Sequence, residues 1–134
     1  MGNAAIADAH DIIDIPNFGS PDWGMNAGDA MELQCNYLLM CDNLLDPSHV
    51  AWVHETSFAQ AATKDTPLRV TRTDEGVIVH RWMMDVEPAP FYKKVVEFEG
   101  NCDRLQHYEV RYPSHALIRA VFTPAGTGGP EGSL

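Results

Sequence analysis

The chain has 134 residues, of which 45% are hydrophobic and 21% charged, as in an ordinary globular domain able to bury a core. Its formal net charge of −10 excludes nonspecific nucleic-acid binding, which needs a basic surface. No apolar run approaches the roughly 20 residues of a membrane helix, and no secretory signal is visible. Three cysteines without a CxxC pair are too sparse for a disulfide framework and favour a reducing, cytoplasmic setting.

The first segment, residues 1–30, is rich in Gly, Asn, Asp and Pro and predicts an irregular lead-in. Ile12, Ile13 and Ile15 predict one short strand there, which Pro16 would end.

A long helix with one interruption is predicted next. Its apolar face repeats at helical spacing through Tyr37, Cys41, Leu44 and Leu45. Asp46 followed by Pro47 is a good N-cap and N1 pair, so the helix restarts there and ends close to Glu55–Phe58.

The remaining chain changes to strand periodicity. Two antiparallel pairs are predicted, at 68–73 with 76–84 and at 103–112 with 115–123. The first pair turns at Asp74-Glu75-Gly76 and the second at Pro113-Ser114. Residues 86–100 read as a loop with one helical turn, and residues 124–134 as a loop-like tail without core residues to anchor it. The pattern is α+β in a single domain, 1–134.

His49 and His54 are the first candidates for chemistry, because imidazole is a good ligand for Fe(II), Zn and Cu. Their i, i+5 spacing places them about 140° apart on a regular helix. They can share a metal only if the helix is distorted between them or ends before His54. By spacing alone, a capped helix with packed or exposed histidines remains an open alternative.

Asn43-Leu-Leu-Asp46-Pro-Ser-His49-Val-Ala-Trp-Val-His54 resembles the N-x-x-D-x-x-H-x-x-x-x-H element of Rieske non-haem iron aromatic oxygenases. The resemblance is closest to the vanillate O-demethylase and dicamba demethylase branch. Two later segments, Gly100–Arg104 and Phe122–Thr127, extend it over most of residues 30–128.

The resemblance implies a helix-grip fold of the SRPBCC or START-like kind, in which a curved antiparallel sheet wraps a long helix; here the fold would be incomplete. His49 and His54 would hold a mononuclear Fe(II). Asp46 would link this iron to a Rieske-cluster histidine of a neighbouring subunit, and Asn43 would be a polar group near the iron. Implied partners are a Rieske-bearing domain, a reductase and further copies of the chain in a homo-oligomer.

Two departures from the family pattern limit what we expect of this chain. No cysteine has the C-x-H or C-x-x-H spacing of a Rieske 2Fe–2S cluster, so that cluster is not expected here. The family's third iron ligand is an aspartate on a C-terminal helix farther downstream; for Asp85, Asp103 and Glu109 we expect surface or strand-edge roles instead. We therefore expect weak iron binding and no turnover by this chain alone, which may be a natural truncation, an excised domain or part of a split enzyme.

The strands supply candidate pocket residues, each of which has simple core packing as its alternative: Trp82, Met84, His107, Tyr108, Leu117, Ile118 and Phe122. His80, His107 and His115 are candidates to orient a carboxylate substrate. Three functions follow. The first is part of an oxygenase acting on a small aromatic acid. The second is a binding module of the same fold for an apolar or aromatic molecule, without redox chemistry, and the third is a metal-dependent hydrolase.

Overall fold

The computed structural model describes residues 3–26 and 28–129, in two compact units, Met1–Leu33 and Gln34–Leu134. The first unit contains two 3₁₀ turns, Ala4–Ile6 and Ala9–Asp11. The predicted strand at Ile12–Ile15 is wrong. Ile12 is 73% exposed, and no strand among the described residues pairs with this segment, so its backbone has no ladder to join.

The predicted interrupted helix is present as α1 (Tyr37–Leu45) and α2 (Val50–Val53), and a third helix, α3, spans Ala62–Asp65. Asn36 caps α1 by accepting from the Leu38 amide at 3.0 Å. Asp46 ends α1, and its carboxylate accepts from the Ser48 amide at 2.8 Å. The restart therefore differs from the prediction: Asp46 and Pro47 form a capped turn, and α2 proper begins at Val50.

Four antiparallel strands follow in the order β1-β2-β3-β4, as predicted. Their bounds are Arg69–Arg72, Gly76–Val86, Cys102–Arg111 and His115–Pro124. The β1–β2 turn requires glycine at position 76, because a Cβ there would lie 1.8 Å from the Val110 carbonyl oxygen. The loop between β2 and β3 contains one 3₁₀ turn, Tyr92–Lys94, also as predicted. The α+β class is confirmed.

The sheet has two distinct faces because side chains alternate along each strand. One face, called the helix face, carries Arg81, Arg104, Tyr108 and Ile118, and α1 packs against β3 and β4. The other face carries His80, Trp82, His107 and Arg119 and is called the basic face.

Arg104 holds the loops of the helix face together. It is 1% exposed and donates hydrogen bonds to the Phe58 carbonyl oxygen and to Gln60 Oε1, each at 3.0 Å. Its guanidinium carbon lies 4.8 Å from the ring centroid of Tyr92 and 5.4 Å from that of Phe122. Burial lowers the pKa of Arg104, and the neighbouring Tyr92 opposes this effect.

Asp103, the adjacent residue, does the same for the basic face. It is fully buried and accepts from the backbone amides of Asp85, Gly126 and Gly128 at 2.8–2.9 Å. Burial raises the pKa of this carboxyl, but hydrogen bonds from backbone amides outweigh burial and leave the pKa below its usual value. The surface role predicted for Asp103 is therefore wrong.

The tail is anchored through this buried carboxylate, contrary to the expectation of an unanchored loop. Residues 125–129 turn back so that the amides of Gly126 and Gly128 reach Asp103, and the Ala125 amide donates to the Asn101 carbonyl oxygen at 3.2 Å. The rest of the predicted tail, residues 130–134, lies outside the described residues. No helix in the described part of the chain is long and apolar enough to cross a bilayer.

Candidate metal centre

His49 and His54 lie at the two ends of the single-turn helix α2, as its N-cap and C-cap. The Val53 amide donates to the His49 carbonyl oxygen at 2.8 Å, and the helix ends before His54, whose φ and ψ are −112° and 32°. The angle expected on a regular helix therefore does not apply. The ring centroids lie 5.5 Å apart with an interplanar angle of 64°. Two imidazoles that share one ion through bonds of ~2.1 Å have centroids on the order of 5 Å apart.

The histidine pair has the donor chemistry of a divalent transition-metal site. His49 Nδ1 is buried and has no hydrogen-bond partner among the described residues, so it is available to a ligand. Imidazole suits iron, zinc and copper. Within residues 3–26 and 28–129, no group of three or more His, Cys, Asp or Glu side chains is arranged to hold a metal ion. The pair therefore fits two positions of a coordination sphere.

A cavity of 260 Å³ lies beside the pair, between the helices and the helix face of the sheet. Its walls come from the helices, the segment after α2, the β2–β3 loop and the sheet. The lining residues are Asn43, Leu44, His49, Val50, His54, Phe58, Tyr92, Tyr108 and Ile118. The mixture of aromatic and aliphatic walls with a few polar groups is typical of small-molecule sites.

Phe58 and Tyr92 form an aromatic wall that sequence reasoning missed. The Phe58 ring packs edge-on to His54 at 5.6 Å and lies 5.9 Å from Tyr92. The Phe91 amide donates to the Ser57 carbonyl oxygen at 3.0 Å and ties the β2–β3 loop to this segment. Phe58 follows His54 by four residues on a continuing turn, which is a signal that was available. Tyr92 has no local signal, because its position depends on the loop folding back.

Tyr108 and Ile118 are sequence-predicted pocket residues that do line this cavity, and they face each other across β3 and β4. Burial raises the pKa of Tyr108, so its phenol stays neutral at physiological pH. Phe122, also predicted, lies behind the wall with its ring centroid 4.3 Å from that of Tyr92.

The other predicted pocket residues do not lie at this cavity. Trp82, Met84, His107 and Leu117 lie on the basic face, because a strand turns alternate side chains to opposite sides of the sheet. The candidate carboxylate-orienting histidines, His80, His107 and His115, share that face. The sequence alone did not reveal which set of alternating residues the helices cover.

Asn43 lines the cavity, whereas Asp46 lies exposed in the turn before α2. The Ser48 hydroxyl hydrogen bond is the largest cause of a lowered Asp46 pKa, which burial opposes and the Ser48 amide reinforces. Asp46 is thus an ionised surface carboxylate close in sequence to His49.

The three other carboxylates considered from sequence are engaged elsewhere. Asp85 accepts from Asn101 at 2.9 Å, Asp103 binds the tail, and Glu109 pairs with Arg111 at 2.5 Å and with His107 at 3.3 Å. The expectation that none of them completes the histidine pair agrees with this arrangement.

The fold and the site define an α+β domain with a two-histidine centre at an aromatic cavity. Residues 33–134 match the model of the vanillate O-demethylase oxygenase C-terminal domain, and the chain belongs to this family. The resemblance to Rieske-type oxygenases of this branch is confirmed.

Curated relatives agree with the family. The chain is 37% identical to the iron-sulfur subunit of the toluene-4-sulfonate monooxygenase system of Comamonas testosteroni, over 98% of this chain and 39% of that protein. It is 31% identical to the vanillate O-demethylase oxygenase subunit of Pseudomonas sp. strain HR199, over 96% of this chain and 37% of that protein. The chain thus spans about two fifths of the length of these relatives.

A solved structure confirms the fold. The crystal structure of dicamba monooxygenase bound to dicamba superposes with a TM-score of 0.80 at 23% identity, covering 97% of this chain and 37% of that one. The predicted helix-grip-like α+β architecture is therefore the one observed. The relatives' names, which include an iron-sulfur subunit and oxygenase subunits, describe components of multi-component systems.

Proposed function

We propose that this chain forms part of the catalytic domain of a Rieske-type aromatic oxygenase and that His49 and His54 hold its mononuclear Fe(II). The observation that carries the proposal is the 5.5 Å separation of the two rings at the edge of an aromatic cavity, in a chain of this family. When bound with open coordination positions, such iron supplies the activation of dioxygen.

The chain's own residues bind, orient and shield. Phe58 and Tyr92 exclude water from the side of the cavity next to His54. Tyr108 offers a neutral phenol, and Asn43 offers an amide, to a polar group of a bound molecule. Because an Fe(II) site of this type uses two histidines and one carboxylate, we propose that the carboxylate comes from outside the described residues.

The substrate class we propose is a small aromatic acid. Toluene-4-sulfonate, vanillate and dicamba appear in the names of three similar proteins, and each is an aromatic ring with an acidic group. A cavity of 260 Å³ with aromatic walls has the size and chemistry for one substituted ring. A Rieske-bearing domain and a reductase would supply electrons.

Asp46 is proposed to carry the link to the electron donor. Its carboxylate is exposed and ionised, and it stands three residues before His49 at the surface of the turn. These properties suit contact with a cluster-bearing domain of a neighbouring subunit in a homo-oligomer. The proposed role predicts that Asp46→Asn leaves iron binding intact and slows electron delivery in the complete system.

Anaerobic Fe(II) titration tests the site directly. We expect one weakly bound ion per chain, with affinity reduced at least about tenfold in His49→Ala and in His54→Ala, since each removes a ligand bond. His115→Ala, which removes an exposed histidine from the other face, is the matched control and should bind as the unmodified chain does. Unchanged binding in both ligand variants would refute the proposed iron site. We also expect no demethylation by this chain when only a reductase is added, and turnover under those conditions would contradict that expectation.

A binding module without redox chemistry is the second candidate, favoured by the apolar walls and by a metal site of only two described ligands. It predicts that aromatic ligands bind equally well with and without a chelator. A metal-dependent hydrolase would instead hold zinc and show esterase or amidase activity. Metal analysis and ligand titration with chelator separate these functions from the oxygenase.

A further inference from the structure

A row of basic side chains crosses all four strands on the basic face. Arg69 pairs with His80, His80 with His107, and His107 with Arg119, so the four residues share one register line. Directly opposed residues in antiparallel strands lie on the same face, and neighbouring strands are about 4.8 Å apart. The row therefore runs about 14 Å across the sheet.

This row is electrostatically uncompensated in a strongly acidic chain. Like charges that face each other across strands destabilise a sheet, yet the two arginines have no ion-pair partner among the described residues. Only His107 contacts a carboxylate, Glu109, and that carboxylate is shared with Arg111. Burial lowers the pKa of His107, the hydrogen bond with Glu109 opposes this, and Arg119 adds to the lowering.

The histidines at the centre of the row also have unused hydrogen-bonding capacity. The His80 and His107 rings stack with centroids 6.4 Å apart. His80 Nδ1 is buried and has no hydrogen-bond partner in the described part of the chain. A buried unpartnered polar atom costs about 1–3 kcal/mol, which a bound acceptor or donor would offset.

The row lines a cavity of 540 Å³ that is separate from the histidine-pair cavity and on the opposite side of the sheet. The same cavity is bordered by the apolar side chains of Trp82, Met84 and Leu105. One side of the cavity therefore offers positive charge and hydrogen-bond donors, and the adjacent side offers an indole ring and aliphatic groups. This combination suits a molecule with an anionic head and an apolar body.

We propose that this cavity is a second ligand site, which binds a small aromatic carboxylate or sulfonate. The anionic group lies along the row formed by Arg69, His80, His107 and Arg119, and the ring packs against Trp82. Arginines at the two edges of the sheet provide long side chains that reach the central histidines from both sides. The site is independent of iron and of the residues proposed to hold it.

Titration with benzoate, followed by NMR, tests this site in the 134-residue chain without metal. Benzamide serves as the uncharged probe of the same shape. We expect benzoate to shift the indole N–H signal of Trp82, assigned with Trp82→Phe, and to bind at least about tenfold more tightly than benzamide, because charge-assisted hydrogen bonds are the stronger ones. The Arg69→Gln/Arg119→Gln variant should lose that preference.

Arg72→Gln is the matched control, since Arg72 is exposed on the same strand as Arg69 and alternates to the other face. It should bind benzoate as the unmodified chain does. Equal affinity for the two probes, or unchanged benzoate binding in the double variant, would overturn the proposal. Shifts confined to Tyr108 and Ile118 would place the ligand in the other cavity and would also overturn it. His49→Ala tests the iron site separately and should leave benzoate binding on the basic face unaltered.

Discussion

The two faces of the sheet differ in how their polar residues are satisfied. On the helix face, Arg104 is buried under the loops and satisfied by a carbonyl oxygen, an amide oxygen and two aromatic rings. On the basic face, arginines and histidines line an accessible cavity with few carboxylates nearby. A buried cation surrounded by acceptors stabilises structure, whereas accessible cations without partners favour binding of an anion.

The same strand serves both faces through adjacent residues. Asp103 and Arg104 are both fully buried, and each fixes the loop that borders its own cavity. Asp103 binds the tail next to Trp82 and Met84, and Arg104 positions Tyr92 beside the histidine pair. Variants of these two residues should therefore separate the faces experimentally.

Arg104→Ala should have the largest effect on stability, lowering the free energy of unfolding by about 4 kcal/mol through lost packing and unpaired acceptors. Chemical denaturation followed by circular dichroism measures it. Arg104→Met, which retains most of the volume, should cost about half as much. The exposed Arg72→Ala is the control and should stay within about 0.5 kcal/mol of the unmodified chain. Equal losses in Arg104→Ala and Arg72→Ala would show that the buried guanidinium contributes nothing special.

Asp103→Asn should follow, at about 3 kcal/mol, because an amide nitrogen replaces one of the oxygens that accept backbone hydrogen bonds. Amide exchange should then accelerate at Gly126 and Gly128 and stay slow on the helix face. Iron titration of this variant should match that of the unmodified chain. Faster exchange around Phe58 instead would mean that the two faces are not separable.

Acid should act on the same carboxylate. Folding lowers the Asp103 pKa, so its stabilisation is present above the ordinary value of 3.8 and is lost as pH falls through the native pKa. We expect the unmodified chain to lose stability in this acid range more steeply than Asp103→Asn does. Parallel pH–stability curves for the two proteins would contradict the assignment.

Gly128→Ala should have the smallest effect, at about 1 kcal/mol. A Cβ at this position would lie 2.5 Å from Thr123 Oγ1 and 3.0 Å from Trp82 Cζ3, so the tail must shift at the end of the basic face. Gly24→Ala, where nothing lies within 4 Å, is the control and should be close to neutral. Thermal melts of the two variants compare them, and a larger loss in Gly24→Ala would show that the contact at Trp82 is not limiting.

Local sequence signals predicted most of the secondary structure. Strand periodicity and the turn residues around Gly76 and Pro113 located both hairpins, because register in a hairpin follows from its turn. The break in the helix at Asp46 was also readable, from a capping residue followed by proline. Where no partner was near, as at Ile12, propensity alone predicted a strand that the structure does not form.

The cavities were less predictable than the elements. Alternation indicated that Tyr108 and His107 face opposite ways, yet it did not indicate which of them the helices cover. Tyr92 entered the histidine-pair cavity only because its loop is tied back by hydrogen bonds and by Arg104. The anchoring of the tail by Asp103 depended likewise on a contact distant in sequence.

The sequence by itself determined the strand pairs, the break in the helix and the motif that places His49 beside His54, since each depends on residues close along the chain. Only the tertiary structure decided that the two rings lie 5.5 Å apart at an aromatic cavity and that Arg69, His80, His107 and Arg119 form one row. The physical reason is that α2 ends before His54 and that register aligns residues up to 50 positions apart, and neither depends on local propensity.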